Sequence, residues 1–557
     1  MIAPGSGSTT LGLAIGCALA AVLLQAGQNA GTQGQPVFRV TTRLVVLNVV
    51  VHDKKGAPVT GLTRADFSIL DGGKREKITV FSVESGHAGQ RRERPLPSNV
   101  YSNRLSREGG VVTNVAAILI DGQDTTFEDQ AYARQQVAKF LTQLQPRDRV
   151  ALYALGSRLR VIQDFTDDPA ALLAALGRLQ GRVRAAQAEA SSPGLETESQ
   201  MASGPTKAAQ ARFEVGISDL MVRKGPVHAQ SLWNQILPAL QAIANHLAGL
   251  PGRKSLIWLT GAVPFPQYLQ DFRPGHPGGS SPLVADRIHR TIELLNQDDV
   301  ALYPVDARGL LTDPAFSAQA RGRAEGIGGN LAAVHGPIEA MIYYAQQTGG
   351  RAFYNTNDLK GALRKALDDS EVTYTLGYYP THGRWDGRYR PIKVLVDRKG
   401  VEVRHRQGYF ARAEQVVEEK DRIALLKEEA QDPLDATGLG LTVKLDRYKG
   451  AAGEQLKVNV YVDARDLKFR LAKGLWTASF DVWAAQYSNQ GDSLGGVSKT
   501  VSANLKGDNY RKILRAGGVN LTIDEKAEHG AAELRVVVRD APSGALGSVR
   551  IPLHNSL

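Results

Sequence analysis

The chain has 557 residues, 43% of them hydrophobic and 22% charged, and 67 Lys and Arg against 56 Asp and Glu give a formal net charge of +11. These proportions suit globular domains and exclude a collagen, a wholly disordered chain and a polytopic membrane protein. The single cysteine, Cys17, excludes a disulfide framework and any cysteine-built zinc or iron–sulfur site.

No charged residue precedes Arg39, and Leu11 to Leu24 is apolar or small throughout. That run is short of the roughly 20 residues a membrane span needs, and it fits the core of a signal peptide over residues 1–30. Ala26 or Ala30 suits the cleavage site, and the apolar run continues past Cys17, which argues against lipidation there. The expected location is exported: periplasmic, cell-surface or secreted. Contact with a membrane would come only through an uncleaved signal or surface association.

Residues 37–85 read as a small β domain, with Leu44 to Val51 nearly all β-branched or apolar and turns at Lys54-Lys55-Gly56 and Leu70-Asp71-Gly72-Gly73. Residues 86–111 are polar, with Pro95, Pro97 and the densest basic stretch, Arg91-Arg92-Glu93-Arg94, and read as a linker. Elsewhere the basic residues are dispersed, so the positive charge argues for solubility and against a nucleic-acid partner.

From 112 to 370 apolar runs alternate with helical stripes. Val115 to Ile120, Val150 to Leu155, Ser255 to Leu259 and Val300 to Val305 have the continuous apolar character of strands buried on both faces. Between them, spacings such as Ala133, Val137, Phe140, Leu144 and Leu232, Ile236, Leu240, Ile243 predict helices. Alternation of this kind means right-handed βαβ units in a doubly wound, Rossmann-like α/β domain. Residues 181–226 and 309–336 interrupt it with small and polar sequence and read as surface insertions. Residues 371–412 read as a β extension and 413–436 as a helical linker. Residues 437–557 show the alternation of a β-sandwich of immunoglobulin-like size. Trp476 and Trp483 fall on opposite faces of one of its strands, the first expected in the core and the second exposed or covering an edge.

In a doubly wound sheet, ligands bind at the carboxyl ends of the strands. The first such loop reads Asp121-Gly122-Gln123-Asp124-Thr125-Thr126, oxygen side chains able to turn toward one hard cation, with Mg²⁺ the expected ion. The plain alternatives are that Thr125 with Glu128, or Thr126 with Asp129, forms a capping box, that Asp121 binds loop backbone, and that Asp306 pairs with Arg308.

The phrases VAAILIDGQDTTFEDQAYARQQVAKFL, GRKSLIWLTG and ALYPVDARGL, with RLVVLNVVVHDKKGAPVTGLTRADFSILDGG ahead of them, resemble a von Willebrand factor type A (vWA) domain. In particular they resemble a bacterial vWA-related family of exported proteins. The resemblance covers the chain from about Phe38. It implies a protein-binding domain with a metal-ion-dependent adhesion site built on Asp-x-Ser-x-Ser, a later Thr and a later Asp. Asp121 matches the first Asp and Thr125 the second Ser in chemistry. Gln123 stands in place of the first Ser and Gly261 in place of the late Asp, so the implied site is degenerate. Asp124 and Asp306 are the carboxylates that could substitute.

The leading expectation is therefore an exported, non-enzymatic binding or adhesion protein that docks a protein or cell-surface ligand. The candidate metal residues are Asp121, Gln123 and Thr125; there are no candidate catalytic or cofactor-binding residues. Two other readings stand beside it: an envelope enzyme or processing factor whose site is assembled from distant residues, and a purely structural envelope protein. Gly252-Arg253-Lys254-Ser255 precedes a strand where a phosphate loop must follow one, and no nucleophile elbow is legible.

Overall fold

The computed structural model describes residues 43–85, 96–104, 114–122, 125, 127–179, 226–261, 263, 282–310, 327–412, 417–450 and 453–553. The signal segment, Gln123, Asp124, Thr126 and nearly all of the two insertions lie outside the described residues. Among the described residues no helix is long and apolar enough to cross a membrane.

The first β module draws on two distant stretches. β1 (Val45–Asp53), β2 (Phe67–Asp71), β3 (Lys74–Glu76) and β4 (Ile78–Ser85) come from the amino-terminal side; β5 (Val100–Ser102) leaves for another module. The α/β sheet follows with β6 (Asn114–Asp121), β7 (Asp148–Leu155), β8 (Leu159–Thr166), β9 (Lys254–Thr260) and β10 (Val300–Asp306). β11 (Val372–Tyr378), β12 (Tyr389–Val396), β13 (Val401–Arg404) and β14 (Gly408–Phe410) then return to the first module. Its two sheets run β13-β1-β11-β4 and β14-β12-β2-β3, around one core that holds Leu47, Val49 and Ile69 beside Tyr374, Leu376 and Val394. The stretches read apart as 37–85 and 371–412 are thus neighbours: Leu47 pairs with Leu376 and Ile69 with Val394. Local alternation marks each strand but not its partner, which is why the pairing was not legible.

In the α/β module the order is β10-β9-β6-β7-β8, with β8 antiparallel at one edge. Every residue of β6, β9 and β10 is buried. Successive side chains on a strand point to opposite faces. Val115, Ala117 and Leu119 accordingly pack with α3 (Pro226–Leu247) and α4 (Pro282–Gln297). Ala116, Ile118 and Ile120 pack with α1 (Phe127–Leu141), α2 (169–179) and α6 (Leu359–Asp368). α5 (Ile327–Thr348) lies on the Leu119 side, through Ala340, Met341 and Tyr344. Ile118 pairs directly with Ile257.

The carboxyl-terminal module contains β15 (Leu441–Gly450), β16 (Gly453–Asp463), β17 (Arg470–Ala472), β18 (Leu475–Tyr487), β19 (Ser493–Leu505), β20 (Gly518–Lys526), β21 (Glu533–Asp540) and β22 (Leu546–Pro552). One sheet runs β20-β16-β15-β5, the other β17-β18-β21-β22 with β19 also on β18, and one apolar core lies between them. β5 belongs to the stretch read as linker 86–111, yet Val100 to Ser102 pair with Lys444 to Thr442. α7 (Glu419–Glu429) covers the outer face of β18 and β21. The two tryptophans differ from expectation. Trp483 is buried beneath α7 with Lys427 over its ring, and Trp476 lies outside the core, stacked on Tyr510 of α8 (Gly507–Ala516). Alternation assigns faces, but only the helices decide which outer face is covered.

Candidate functional site

β6 and β7 run to one side of the sheet while β9 and β10 run to the other, so the order reverses between β6 and β9. At such a switch point the flanking loops part and leave a crevice at the strands' carboxyl ends. The register places Asp121 opposite Leu155, Ile120 opposite Leu259, and Thr260 opposite Asp306. Asp121, Thr260 and Asp306 therefore stand level on three adjacent strands. With strands about 4.8 Å apart, the backbones at Asp121 and Asp306 are roughly 10 Å apart.

Asp121 sits in the face that also holds Leu119, and it is only 2% exposed. Its Oδ2 accepts a hydrogen bond from Nε1 of the fully buried Trp258 at 3.0 Å. The Thr125 hydroxyl donates to the Asp121 carbonyl at 2.9 Å and accepts from the Gly261 N–H at 2.8 Å. Thr125 thus ties the β6 loop to the β9 loop across the switch point. Gln130 reinforces the loop, its Nε2 donating to the carbonyls of Gly122 and Thr125 at 3.2 and 2.9 Å. Asp306 turns away: Oδ1 accepts from the Arg308 N–H and Nε at 3.0 and 2.9 Å, and Oδ2 from Nη2 at 2.9 Å.

Asp121, Thr125 and Gly261 are therefore brought together, and Asp306 is not. Gln123 and Asp124, the remaining candidates, lie outside the described residues. A hard divalent cation wants about six oxygens, several of them anionic. The described residues do not fit one. They offer a single carboxylate already bonded to an indole, a hydroxyl committed on both sides, and a glycine where a second acid belongs. Among the described residues no cluster of three His, Cys, Asp or Glu is arranged to hold a metal. The partner that sequence reading missed is Trp258. Its signal was parity: Leu119 pairs with Trp258, and Asp121 shares the face of Leu119 one pleat further along.

The outer part of the rim is apolar in places. Leu310, just past β10, is 60% exposed, and Tyr354, after the Phe353 bridge to Val305, is 39% exposed. Asn357 joins these loops, accepting from the Leu310 N–H through Oδ1 at 2.9 Å and from the Tyr132 hydroxyl through its carbonyl at 2.7 Å.

No protein-family model matches the chain. No curated protein matches it either. Solved structures give matches at low similarity. A von Willebrand factor type A protein from Catenulispora acidiphila is 10% identical over 88% of this chain and 74% of its own, with a TM-score of 0.23. VWA2, the ArnB paralog of Sulfolobus acidocaldarius, is 8% identical over 80% of this chain and 78% of its own, with a TM-score of 0.19. An aerotolerance-related membrane protein from Bacteroides fragilis is 12% identical over 45% of this chain and 98% of its own, with a TM-score of 0.22. At TM-scores this low the likenesses carry no weight for function. The mixed α/β character, with one largely parallel five-stranded sheet among several, rests on the strand pairing itself.

Proposed function

We propose that this chain is an exported, non-enzymatic binding protein that docks a protein ligand on the carboxyl-end rim of its parallel sheet. The observation that carries the reading is the switch point between β6 and β9, bridged by Thr125 and flanked by the exposed Leu310 and Tyr354. Apolar side chains set among polar loops on a rigid scaffold suit recognition. Among the described residues the Thr125 hydroxyl meets backbone groups, the Asp121 carbonyl and the Gly261 N–H, which suits a structural bridge. Export follows from the leader-like amino terminus and from the resemblance to exported vWA-related proteins; docking here is metal-independent, through side chains of the rim.

The test is photocrosslinking in the native envelope. A photoreactive residue at Tyr354 should trap a partner, and the same residue at Gln145, at the opposite end of the sheet, should not. The Leu310→Asp variant should lose the Tyr354 adduct, while chelator should leave it intact. Adducts of equal yield from both ends, or none from the rim, would sink the proposal.

A further inference from the structure

A cleft of about 1270 Å³ opens where the three modules meet. Its walls are α4 of the α/β module, Arg43, Trp385 and Arg412 of the first β module, and Lys468, Arg539 and the turn 541–546 of the carboxyl-terminal module. The lining holds five cations and four carboxylates. One of the four, Asp298, is pushed up to about 7 by burial, against the pull of Lys254. The lining therefore carries at least one more formal positive charge than negative.

Most of these charges are matched on the spot. Arg290 Nε meets Asp286 at 2.7 Å, and Arg412 meets Asp286 at 2.9 Å and Glu293 at 3.4 Å. Arg539 is different. It is only 8% exposed, yet its Nη1 has no hydrogen-bond partner, and it forms no ion pair among the described residues. The nearby acid Asp481 is already committed, accepting from the Thr500 hydroxyl at 2.7 Å and from Arg422 Nε at 2.7 Å. Asp540 follows Arg539 on the strand, so alternation turns it to the opposite face. The turn closing β21 onto β22 holds the guanidinium in place. Gly544 adopts φ +79°, and a Cβ there would lie 3.5 Å from Arg539 Nη2. Burial, and then the charge of Arg422, lower the Arg539 pKa against the attraction of Asp481 and Asp540, neither of which bonds to the guanidinium.

We infer that Arg539 anchors an oxyanion-binding site in this cleft, taking the carboxylate or phosphoryl group of an anionic ligand on its guanidinium fork. The planar fork matches either group bidentately, and a buried guanidinium whose acidic neighbours already serve other donors gains from an added oxyanion. This site lies apart from the rim, so its fate is independent of the docking proposal.

Thermal unfolding of the full chain tests it, with inorganic phosphate and glutarate as probes at fixed ionic strength. At ten times the dissociation constant, the probe that fits should raise the wild-type Tm by about 1–2 °C. Arg290→Gln should respond like wild type and Arg539→Gln should not respond. A response to phosphate alone assigns a phosphoryl ligand, to glutarate alone a carboxylate ligand, and to both their shared chemistry. Without probe, Arg539→Gln should melt at or above the wild-type temperature, because it removes an unmatched charge. Arg539→Lys keeps the charge without the fork and should bind about tenfold more weakly. Equal probe effects in wild type and Arg539→Gln, no effect in either, undiminished binding by Arg539→Lys, or a marked loss of probe-free stability in Arg539→Gln would each overturn the inference.

Discussion

The rim of the parallel sheet and the junction of the three modules are both crowded with polar side chains, and they treat them in opposite ways. At the rim, Asp121 and Thr125 have short, specific partners inside the chain, and Asp306 has its own arginine. At the junction, burial and like charge outrun the available partners. Glu429 is pushed up to about 8, first by burial and then by Asp432, and its Oε2 accepts one bond from Asn245 at 3.1 Å. Asp432 is pushed up to about 7, by burial and by Glu428. The difference teaches where this molecule can respond to its surroundings. A satisfied site is held rigidly; an under-satisfied one changes with protonation or with a bound counter-ion.

The largest effect expected from this contrast is at Glu429. An acid whose folded pKa is raised stabilises the fold only while it is protonated, so stability falls as pH climbs from about 4.5 toward 8. Glu429→Gln fixes the neutral form and retains an acceptor for Asn245. It should be more stable than wild type by about 3 kcal/mol at pH 9 and nearly equal at pH 4.5. Denaturant titrations at the two pH values decide this, and a constant difference would remove the junction's claim to be the responsive region.

At the rim the effects should run the other way. Asp121→Ala leaves the Trp258 N–H without this acceptor, which costs about 2–3 kcal/mol. Asp121→Asn keeps an oxygen acceptor and should recover most of that loss. If Asp121→Ala were neutral in stability and abolished partner crosslinking instead, the carboxylate would belong to the ligand and not to Trp258. Thr125→Val preserves shape but strands the Gly261 N–H, and should cost about 1–2 kcal/mol in the same denaturant titration. A Thr125→Val variant as stable as wild type would remove the bridge between the β6 and β9 loops from the framework of the rim.

Much of the α/β module could be read ahead of the structure because its physics is local. Continuous apolar runs from Val115 to Ile120 and from Ser255 to Leu259 are short and alternate with helical stripes, which favours strands buried on both sides, and Asp121 and Thr260 then fall at the ends where crevices form. Asp306 was rightly offered with Arg308 as its alternative partner. Long-range association was not legible. Nothing in the pattern of Val45 to Val51 names Tyr374 to Tyr378 as its neighbour, and nothing near Val100 announces Lys444. In the sequence Arg539 is one of the arginines that alternate with Leu534, Val536 and Val538. Its significance depends on what α7, the 541–544 turn and α4 leave uncovered, which is a property of packed modules.

The smallest effect, and the finest test of the comparison, lies at His246. This residue ends α3 at the junction and is 3% exposed. Both ring nitrogens face acceptors, the Asp435 carbonyl at 2.6 Å and Asp164 Oδ1 at 3.2 Å. Burial opposes a charged ring, but the hydrogen bond and charge of Asp164, with the Asp435 carbonyl, prevail and raise its pKa. Burial likewise opposes charge on Asp164, and His246 overrides it, lowering that pKa. A histidine with a raised folded pKa contributes its full stabilisation below about 6.5 and loses it as pH rises through the folded value. The pair is therefore strongest where both partners are ionised, above about pH 4 and below about 6.5. Asp164 is half open to solvent, so the contribution is about 1 kcal/mol, not that of a sealed ion pair. Asp164→Asn should lower stability by that amount at pH 5.5 and leave it unchanged at pH 9, read from melting curves across the range. A loss of the same size at both ends would mean that Asp164 acts through packing alone. The junction's response to pH would then belong to Glu429 at the end of α7 and to Asp432 after it, and the contact of His246 with Asp164 would be structural.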